Sequence, residues 1–205
     1  MRKFMLLALA LCLVPAGAQG DALFDAVAAD RLEDVRRLVG AGAAVNVRNA
    51  DAETPLYVAA ERGQAAIVRL LLGAGAEVKA ATRNGETVLH AAALNGDPEV
   101  LSFLLKHGAE VNRANRDGER PLFWAAAAGN GRAVQTLLEH GADVNAVDAH
   151  HNSALHGAAD AGHETSAWLL LDQGADRNLR NRAGDTAADL ARRRGFASIV
   201  ELLQR

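Results

Sequence analysis

The histidines are the residues of this 205-residue chain with the clearest capacity for chemistry, because imidazole binds metals and transfers protons near neutral pH. His150 and His151 are adjacent, and with a third ligand such as Asp148 they could hold a metal ion. No further ligand follows at a spacing typical of metal sites, so the alternative is an exposed turn that contains two histidines. We favour that alternative and predict neither a metal site nor a cofactor.

The sequence contains no motif for covalent catalysis or phosphate binding. No nucleophile lies in a catalytic motif, and no glycine-rich loop follows a strand. Cys12, the only cysteine, belongs to an N-terminal apolar run. Arg192-Arg193-Arg194 could bind an anion, but we favour solvated cations at the C-terminal end of a helix. The sequence thus predicts a protein that is not an enzyme.

Positions that recur every 33 residues organise the chain, and we call each such set a column. One column holds glycines that are followed by alanine, a second holds further glycines, and a third holds Thr, Ser or Arg. Their members are Gly42, Gly75, Gly108, Gly141 and Gly174; Gly63, Gly96, Gly129, Gly162 and Gly195; Thr54, Thr87, Arg120, Ser153 and Thr186. His90 with His156 and His107 with His140 obey the same period, so we interpret these four as structural.

Each period predicts a helix, a turn, a second helix and a hairpin-like loop. Thr54 is a candidate N-cap with Pro55 at the first helical position, and Asp97 with Pro98 repeats this arrangement for a second helix. Paired alanines in the first helix and an apolar stripe in the second predict close stacking of neighbouring units. In the loops, the dipeptides at 84–85 and 117–118, Asn-Gly and Asp-Gly, favour type I′ turns.

The segments "TPLYVAAERG" (54–63), "TVLHAAALNG" (87–96) and "SALHGAADAG" (153–162), with "GAEVN" and "GADVN" after second helices, resemble ankyrin repeats. The resemblance implies an all-α solenoid of six 33-residue helix-turn-helix units with hairpin-like loops. The units span about 19–50, 51–83, 84–116, 117–149, 150–182 and 183–205, and the terminal units act as caps.

The resemblance also implies a concave groove, formed by turn tips and first helices, that binds another protein. Carried over by position, the candidate partner-binding residues are Arg83, Asn84, Glu86, Arg116, Asp117, Glu119, Phe123, Trp124, His150 and Asn152. Trp124 shares a column with Ala91 and Gly157, so we expect it to use the space beside these small residues, with its edge between Arg116 and His150. Packing between repeats is the alternative role of Trp124.

Trp168 occupies a column that is otherwise polar and lies in a second helix. We expect it to be at least partly exposed on the convex surface. A single exposed apolar residue is common, and a secondary contact or self-association site is the alternative. The protein is predicted to be a monomer.

The N-terminus reads as a secretory signal peptide over residues 1–18. "MRK" is followed by the apolar run "FMLLALALCLV" and by Ala16-Gly17-Ala18, after which we predict cleavage. Loss of Arg2 and Lys3 leaves 20 basic against 25 acidic residues, a formal net charge of −5. This charge disfavours binding to nucleic acid or to an anionic membrane.

Together these features predict a non-catalytic protein-binding module that is exported to a bacterial periplasm or secreted. Two alternatives stay open: an immunity or inhibitor protein for a toxin or enzyme, and a metal-dependent or oxidant-defence accessory role at His150-His151.

Overall fold

The structure is a computed structural model that describes residues 16–204, with side chains from residue 20. Within this range the chain forms twelve helices. In chain order they are α1 (Ala16–Ala28), α2 (Leu32–Gly40), α3 (Pro55–Glu61), α4 (Ala65–Gly73), α5 (Val88–Asn95), α6 (Pro98–Lys106), α7 (Pro121–Ala127), α8 (Gly131–Glu139), α9 (Ala154–Ala161), α10 (Glu164–Asp172), α11 (Ala187–Arg194) and α12 (Ala197–Gln204).

The helices alternate between a first and a second type, and each type recurs with the period of the sequence. The first helices α3, α5, α7, α9 and α11 begin at residues 55, 88, 121, 154 and 187, and the second helices lag them by ten residues. First helices pack on the adjacent first helices, and second helices pack on the adjacent second helices. The described residues therefore confirm the all-α repeat solenoid. Isolated antiparallel bridges, Ala81 with Thr87 and Val147 with Ser153, lie in the loops.

The first helices start where the sequence supplies a cap. The Thr54 hydroxyl accepts a hydrogen bond from the Tyr57 N–H at 3.2 Å, and Pro55 occupies the first helical position, as predicted. Arg120 in the same column cannot cap in this way. Its guanidinium instead donates to the backbone carbonyls of Asn112 and Val147, at 3.2 and 3.3 Å, and so ties α7 to the preceding and following loops.

The core joins an alanine layer to a leucine layer. Between first helices, small side chains let the backbones approach closely, and the buried set is Ala59, Ala60, Ala91, Ala92, Ala125, Ala126, Ala158 and Ala159. Second helices contribute one buried leucine column, which consists of Leu38, Leu71, Leu104, Leu137, Leu170 and Leu203. Because every unit repeats both layers, one core runs through the stack.

The loops differ from the predicted type I′ turns, which require positive φ at both central residues. Gly85 and Gly118 have φ of 82° and 80°, whereas Asn84 and Asp117 do not lie in that region. The Gly85 N–H donates to the Thr82 carbonyl at 3.0 Å, so the left-handed glycine closes the turn instead of standing at its centre. The prediction of turn type was wrong because the residue at the start of the turn stabilises a different geometry.

That residue belongs to a column of side chains that accept two backbone N–H groups of their own turn. The acceptors are Asn49, Thr82, Asn115, Asp148 and Asn181, and each bonds the N–H groups two and four residues later. Such local bonds satisfy turn donors that have no partner in a regular element. They hold successive turns in one shape.

Adjacent turns are joined by a ladder of backbone hydrogen bonds. The N–H of Arg116 donates to the Asn84 carbonyl at 2.8 Å, and the N–H of Ala149 donates to the Asp117 carbonyl at 2.8 Å. Equivalent bonds join Arg83 to Asp51 and Arg182 to His150. The exposed turn tips are therefore placed in register, one per unit.

The expected signal peptide lies largely outside the described residues, since residues 1–15 are not among them. α1 begins at Ala16, and the first core side chain is Leu23. Among the described residues, no helix has the length and apolar character needed to cross a bilayer.

Candidate functional site

The candidate site is the face formed by the turn tips and the first helices of the central units. We call it the groove and define it by the turns at 83–86, 116–119 and 149–152 together with α5, α7 and α9. The predicted residues Arg83, Asn84, Arg116, Asp117 and His150 are exposed there. Glu86, Glu119, Phe123, Trp124 and Asn152 are partly buried at its base.

Trp124 faces the preceding unit. Its indole Nε1 donates to a carboxylate oxygen of Glu119 at 2.7 Å, and its ring meets the His90 ring edge-on, with centroids 5.3 Å apart and an interplanar angle of 79°. The expected position between Arg116 and His150 is therefore wrong. The indole N–H turns towards the Glu119 carboxylate of its own turn because a partly buried N–H requires an acceptor.

Phe123, rather than Trp124, uses the space at Gly157. A Cβ built on Gly157 would lie 3.2 Å from Cε2 of Phe123 and 3.3 Å from Cβ of Ala127, which is a tight approach. Beside this contact, α7, α9 and α11 enclose a depression of about 300 Å³. Its apolar lining consists of Phe123, Ala127, Gly157, Ala161 and Leu190.

The polar groups at the rim of this depression are bonded within the protein. The Asn181 amide donates to the Asn152 side-chain oxygen at 3.0 Å. Both oxygens of Asp160 accept from Arg194, at 2.8 and 2.9 Å, and the guanidinium holds the pKa of that carboxyl below its usual range. The depression therefore offers apolar surface with little uncompensated charge.

The remaining polar side chain at the rim, His156, is a structural residue like His90. Burial lowers the pKa of both imidazoles, which favours the neutral form. In His90, Nδ1 accepts from the Thr87 N–H at 3.0 Å, and Nε2 faces the Glu119 carbonyl at 3.1 Å. This geometry requires the proton on Nε2. His90 thereby joins α5 to the following turn, and His156 joins α9 to its following turn through the Asp185 carbonyl at 3.2 Å.

Asp148, the third ligand considered with His150 and His151, is bonded within its own turn. The Asp148 carboxylate is buried and accepts from the N–H groups of His150 and Asn152 at 2.8 and 2.7 Å, and from the Asn152 amide at 3.1 Å. Over residues 20–204, no three His, Cys, Asp or Glu side chains are grouped so as to hold a metal. The turn explains Asp148 because the carboxylate replaces the asparagine of other units.

The three consecutive arginines lie in the last turn of α11, as predicted, and each is also paired with an acid, which was not predicted. Arg192 contacts Asp189 at 2.8 Å, and Arg193 contacts Asp185 at 2.6 Å. Arg194 is held by Asp160, as described above. Their charges are thus largely compensated within the C-terminal units.

Sequence reasoning missed a second ladder between loops. The side chains of Asn46, Asn112 and Asn145 each donate to a glycine carbonyl of the next unit and accept a backbone N–H two residues beyond that glycine. The 33-residue period contained this signal. Lys79 interrupts the column and forms an ion pair with Glu110 instead, at 3.1 Å.

A family model described as ankyrin repeats (3 copies) matches residues 23–115, 73–148 and 107–181, and so covers most of the chain. No curated protein matches the sequence.

Proposed function

The chain belongs to the ankyrin repeat family, and we propose that it is an exported module that binds a partner protein through the groove. Ankyrin repeats generally mediate protein–protein interaction and are typically non-catalytic. The periplasmic location, the groove as binding surface and the residues that carry the contact are our proposal.

The depression beside Phe123 is the observation that carries the groove assignment. Partly exposed aromatic and small residues surround it, while its rim groups are already hydrogen-bonded or ion-paired. A charged group that entered would lose hydration without gaining a partner, whereas an apolar side chain would lose only unfavourable contact with water. We therefore assign the depression to an apolar anchor residue of the partner.

Trp124 supplies a second contact surface in the same groove. Its orientation is set by Glu119 and His90, so little side-chain entropy is lost when a partner packs on it. Fixed aromatic residues near the centre of an interface are frequent hot spots. The exposed turn tips Arg83, Arg116 and His150 would form the polar rim of such an interface.

Export is proposed from the basic, apolar and small-residue segments of residues 1–18. Cleavage after Ala18 would leave the core intact, because its first described side chain is Leu23. The mature formal charge of −5 argues against nucleic acid as the partner.

The function is tested by affinity purification from the envelope fraction, followed by calorimetric titration of each captured protein. Binding to the wild type should weaken by more than about 2 kcal/mol in Phe123→Ala or Trp124→Ala, the usual threshold for a hot spot. Gly157→Ala should also weaken binding, since the new methyl group would lie 3.2 Å from the Phe123 ring and force that ring to shift beside the depression.

The matched control is Phe103→Ala, which removes a partly buried aromatic side chain from α6, in the layer of second helices. Circular dichroism and urea melts of each variant must first show a folded protein. If folded Phe123→Ala, Trp124→Ala and Gly157→Ala all bind every captured partner as tightly as the wild type does, the groove is not the binding surface.

A further inference from the structure

Trp168 lies outside the groove and is the most exposed large apolar residue described, with 52% of its surface accessible. Trp168 belongs to α10, and a cleft of about 300 Å³ runs between α10 and α8. The apolar part of the cleft consists of Trp168, Leu138 and Leu169. Glu139 and Asp172 bring two carboxylates to the same cleft.

Those two carboxylates have no cationic partner within residues 20–204. Glu139 accepts from the Gln135 amide at 2.9 Å, and Asp172 accepts from the Gln173 amide at 3.2 Å. Neither takes part in a salt bridge of the described residues. The cleft therefore combines an aromatic face with net negative charge.

The same outer face shows what complements such a surface, two units earlier in the chain. There Arg69 of α4 places its guanidinium 5.5 Å from the centroid of the Phe103 ring and pairs with Glu99. An aromatic ring, a carboxylate and an arginine thus pack together between α4 and α6. This arrangement is favourable because the ring face and the acid both attract the cation.

Between α8 and α10 the arginine of this arrangement is missing. Gln135 occupies the column of Arg69, and Leu169 occupies the column of Phe103. The aromatic residue has moved by one position to Trp168, and the acids are Glu139 and Asp172. The cleft retains the anionic and aromatic parts, but none of the residues that the structure describes supplies it with a cation.

We propose that this cleft is a second binding site, which takes an arginine side chain from a basic segment of a partner protein. The guanidinium lies between the Trp168 face and the carboxylates of Glu139 and Asp172, and its aliphatic stem covers Leu138 or Leu169. Planar guanidinium suits this site because it stacks on aromatic rings and pairs with carboxylates at once. The site is independent of the groove and would give the module two contact surfaces.

The test uses Trp168 as the only tryptophan, in the full chain with Trp124→Phe. Hexa-arginine amide is titrated at low salt while Trp168 emission is recorded, and hexa-citrulline amide serves as its neutral isostere. Hexa-arginine should change the emission saturably, and hexa-citrulline should not. Glu139→Gln with Asp172→Asn should weaken the response about three- to tenfold, whereas Glu61→Gln with Glu77→Gln, which removes the same charge elsewhere, should not.

A further variant distinguishes the cleft from general attraction to an acidic protein. Gln135→Arg would supply the missing arginine from within the chain and should abolish the emission response to hexa-arginine. Asn95→Arg adds the same charge on the groove side and should leave that emission response unchanged. Equal responses to both peptides, or equal responses in both acid-to-amide pairs, would overturn the proposal. So would an emission change that follows protein concentration instead of peptide, because a second copy of the chain would then occupy the cleft.

Discussion

At the scale of single residues, the turns depend on one backbone position per unit that has a left-handed conformation. Glycine occupies it in three of the turns, at Gly85, Gly118 and Gly184, whereas Ala52 and His151 take it with φ of 62°. A side chain in this region is strained because Cβ crowds the following carbonyl oxygen. Turn geometry therefore does not explain the choice of histidine at position 151.

Replacing His151 with glycine should stabilise the protein. The variant His151→Gly relieves left-handed strain, and part of that gain is offset by the greater freedom of glycine in the unfolded chain. We expect a net increase of about 0.5–1 kcal/mol in the free energy of unfolding, measured by urea denaturation. His150→Gly is the control, because position 150 does not have positive φ, and it should be neutral or destabilising. Equal effects at both positions would contradict the strain argument.

The buried histidines should make stability depend on pH. Burial lowers the pKa of His90 in the folded protein, although the Glu119 carbonyl opposes the shift. As the pH falls, the histidine of the unfolded chain is protonated before that of the folded protein. The contribution of neutral His90 to stability is therefore fully present above about pH 7 and decreases as the pH drops below about 6.5. Carboxyl groups with lowered pKa values, such as Asp160, act at a lower pH and do not mask this range.

Urea midpoints at pH 7.5 and pH 5 measure this dependence. His90→Gln should be less stable than the wild type at pH 7.5. Between pH 7.5 and pH 5, however, its stability should fall by less than that of the wild type. His150→Gln, at an exposed turn tip, should keep the wild-type slope. His156 leaves a residual slope in both variants because it is buried in the same way. An unchanged slope in His90→Gln would show that His90 does not couple protonation to folding.

At the scale of helices and loops, each junction between units combines a buried column with polar ladders. Leu104 is fully buried in α6, whereas Leu94 at the end of α5 is 48% exposed, so one unit contains the same residue type in both environments. The asparagine ladder joins loops at some junctions, and Lys79 replaces it with an exposed ion pair at another. Stability should therefore differ from junction to junction.

Leu104→Ala should cost about 2–5 kcal/mol of the free energy of unfolding, because it leaves a cavity between neighbouring second helices. Leu94→Ala removes the same atoms from an exposed position and should change stability by less than about 0.5 kcal/mol. Denaturant melts of both variants measure the difference. If Leu104→Ala left the midpoint unchanged, the continuous core would not pass through α6.

Lys79→Asn should restore the ladder at its junction. By analogy with Asn112, the new side-chain amide would donate to the Gly108 carbonyl and accept a hydrogen bond from the Glu110 N–H. We expect the free energy of unfolding to increase by about 1 kcal/mol. Lys79→Ala, which loses the exposed ion pair without adding the ladder, should change stability by less than about 0.5 kcal/mol. Thermal or urea melts compare the two. A Lys79→Asn protein no more stable than Lys79→Ala would show that the loop there cannot adopt the ladder geometry.

At the scale of the whole molecule, helices pack on helices of the same or the adjacent unit, and the turn ladder runs along the stack. Such a molecule presents two long faces, one of turns and first helices and one of second helices. The proposed groove and the Trp168 cleft lie on different faces. A partner could therefore engage either surface without blocking the other.

Export predicts the residue at which the mature chain begins. Protein isolated from the periplasmic fraction should begin at Gln19, as judged by intact mass and N-terminal peptides. The prediction follows from the basic residues Arg2 and Lys3, the apolar run and the small residues before Ala18. A cytoplasmic protein that keeps Met1 would exclude it.

The sequence by itself determined the repeat fold, because a strict 33-residue period places caps, alanines and leucines in every unit. Thr54 as N-cap, the buried alanine pairs, the framework histidines and the exposure of Trp168 could all be predicted from position within that period. These features depend on local chemistry or on neighbours that the period itself supplies. The same period also contained the asparagine ladder, whose contacts only the structure made evident.

Tertiary structure alone decided how side chains that depart from the repeat are arranged. The direction of Trp124, the contact of Phe123 with Gly157 and the use of Asp148 within its turn depend on which neighbours lie within a few ångströms. Periodicity places a residue on a helix or a turn, but side-chain direction follows from packing and from available hydrogen-bond partners. For this reason the sequence placed Phe123 and Trp124 in the candidate groove, while the depression beside Phe123 and the Trp168 cleft became visible only in the folded chain.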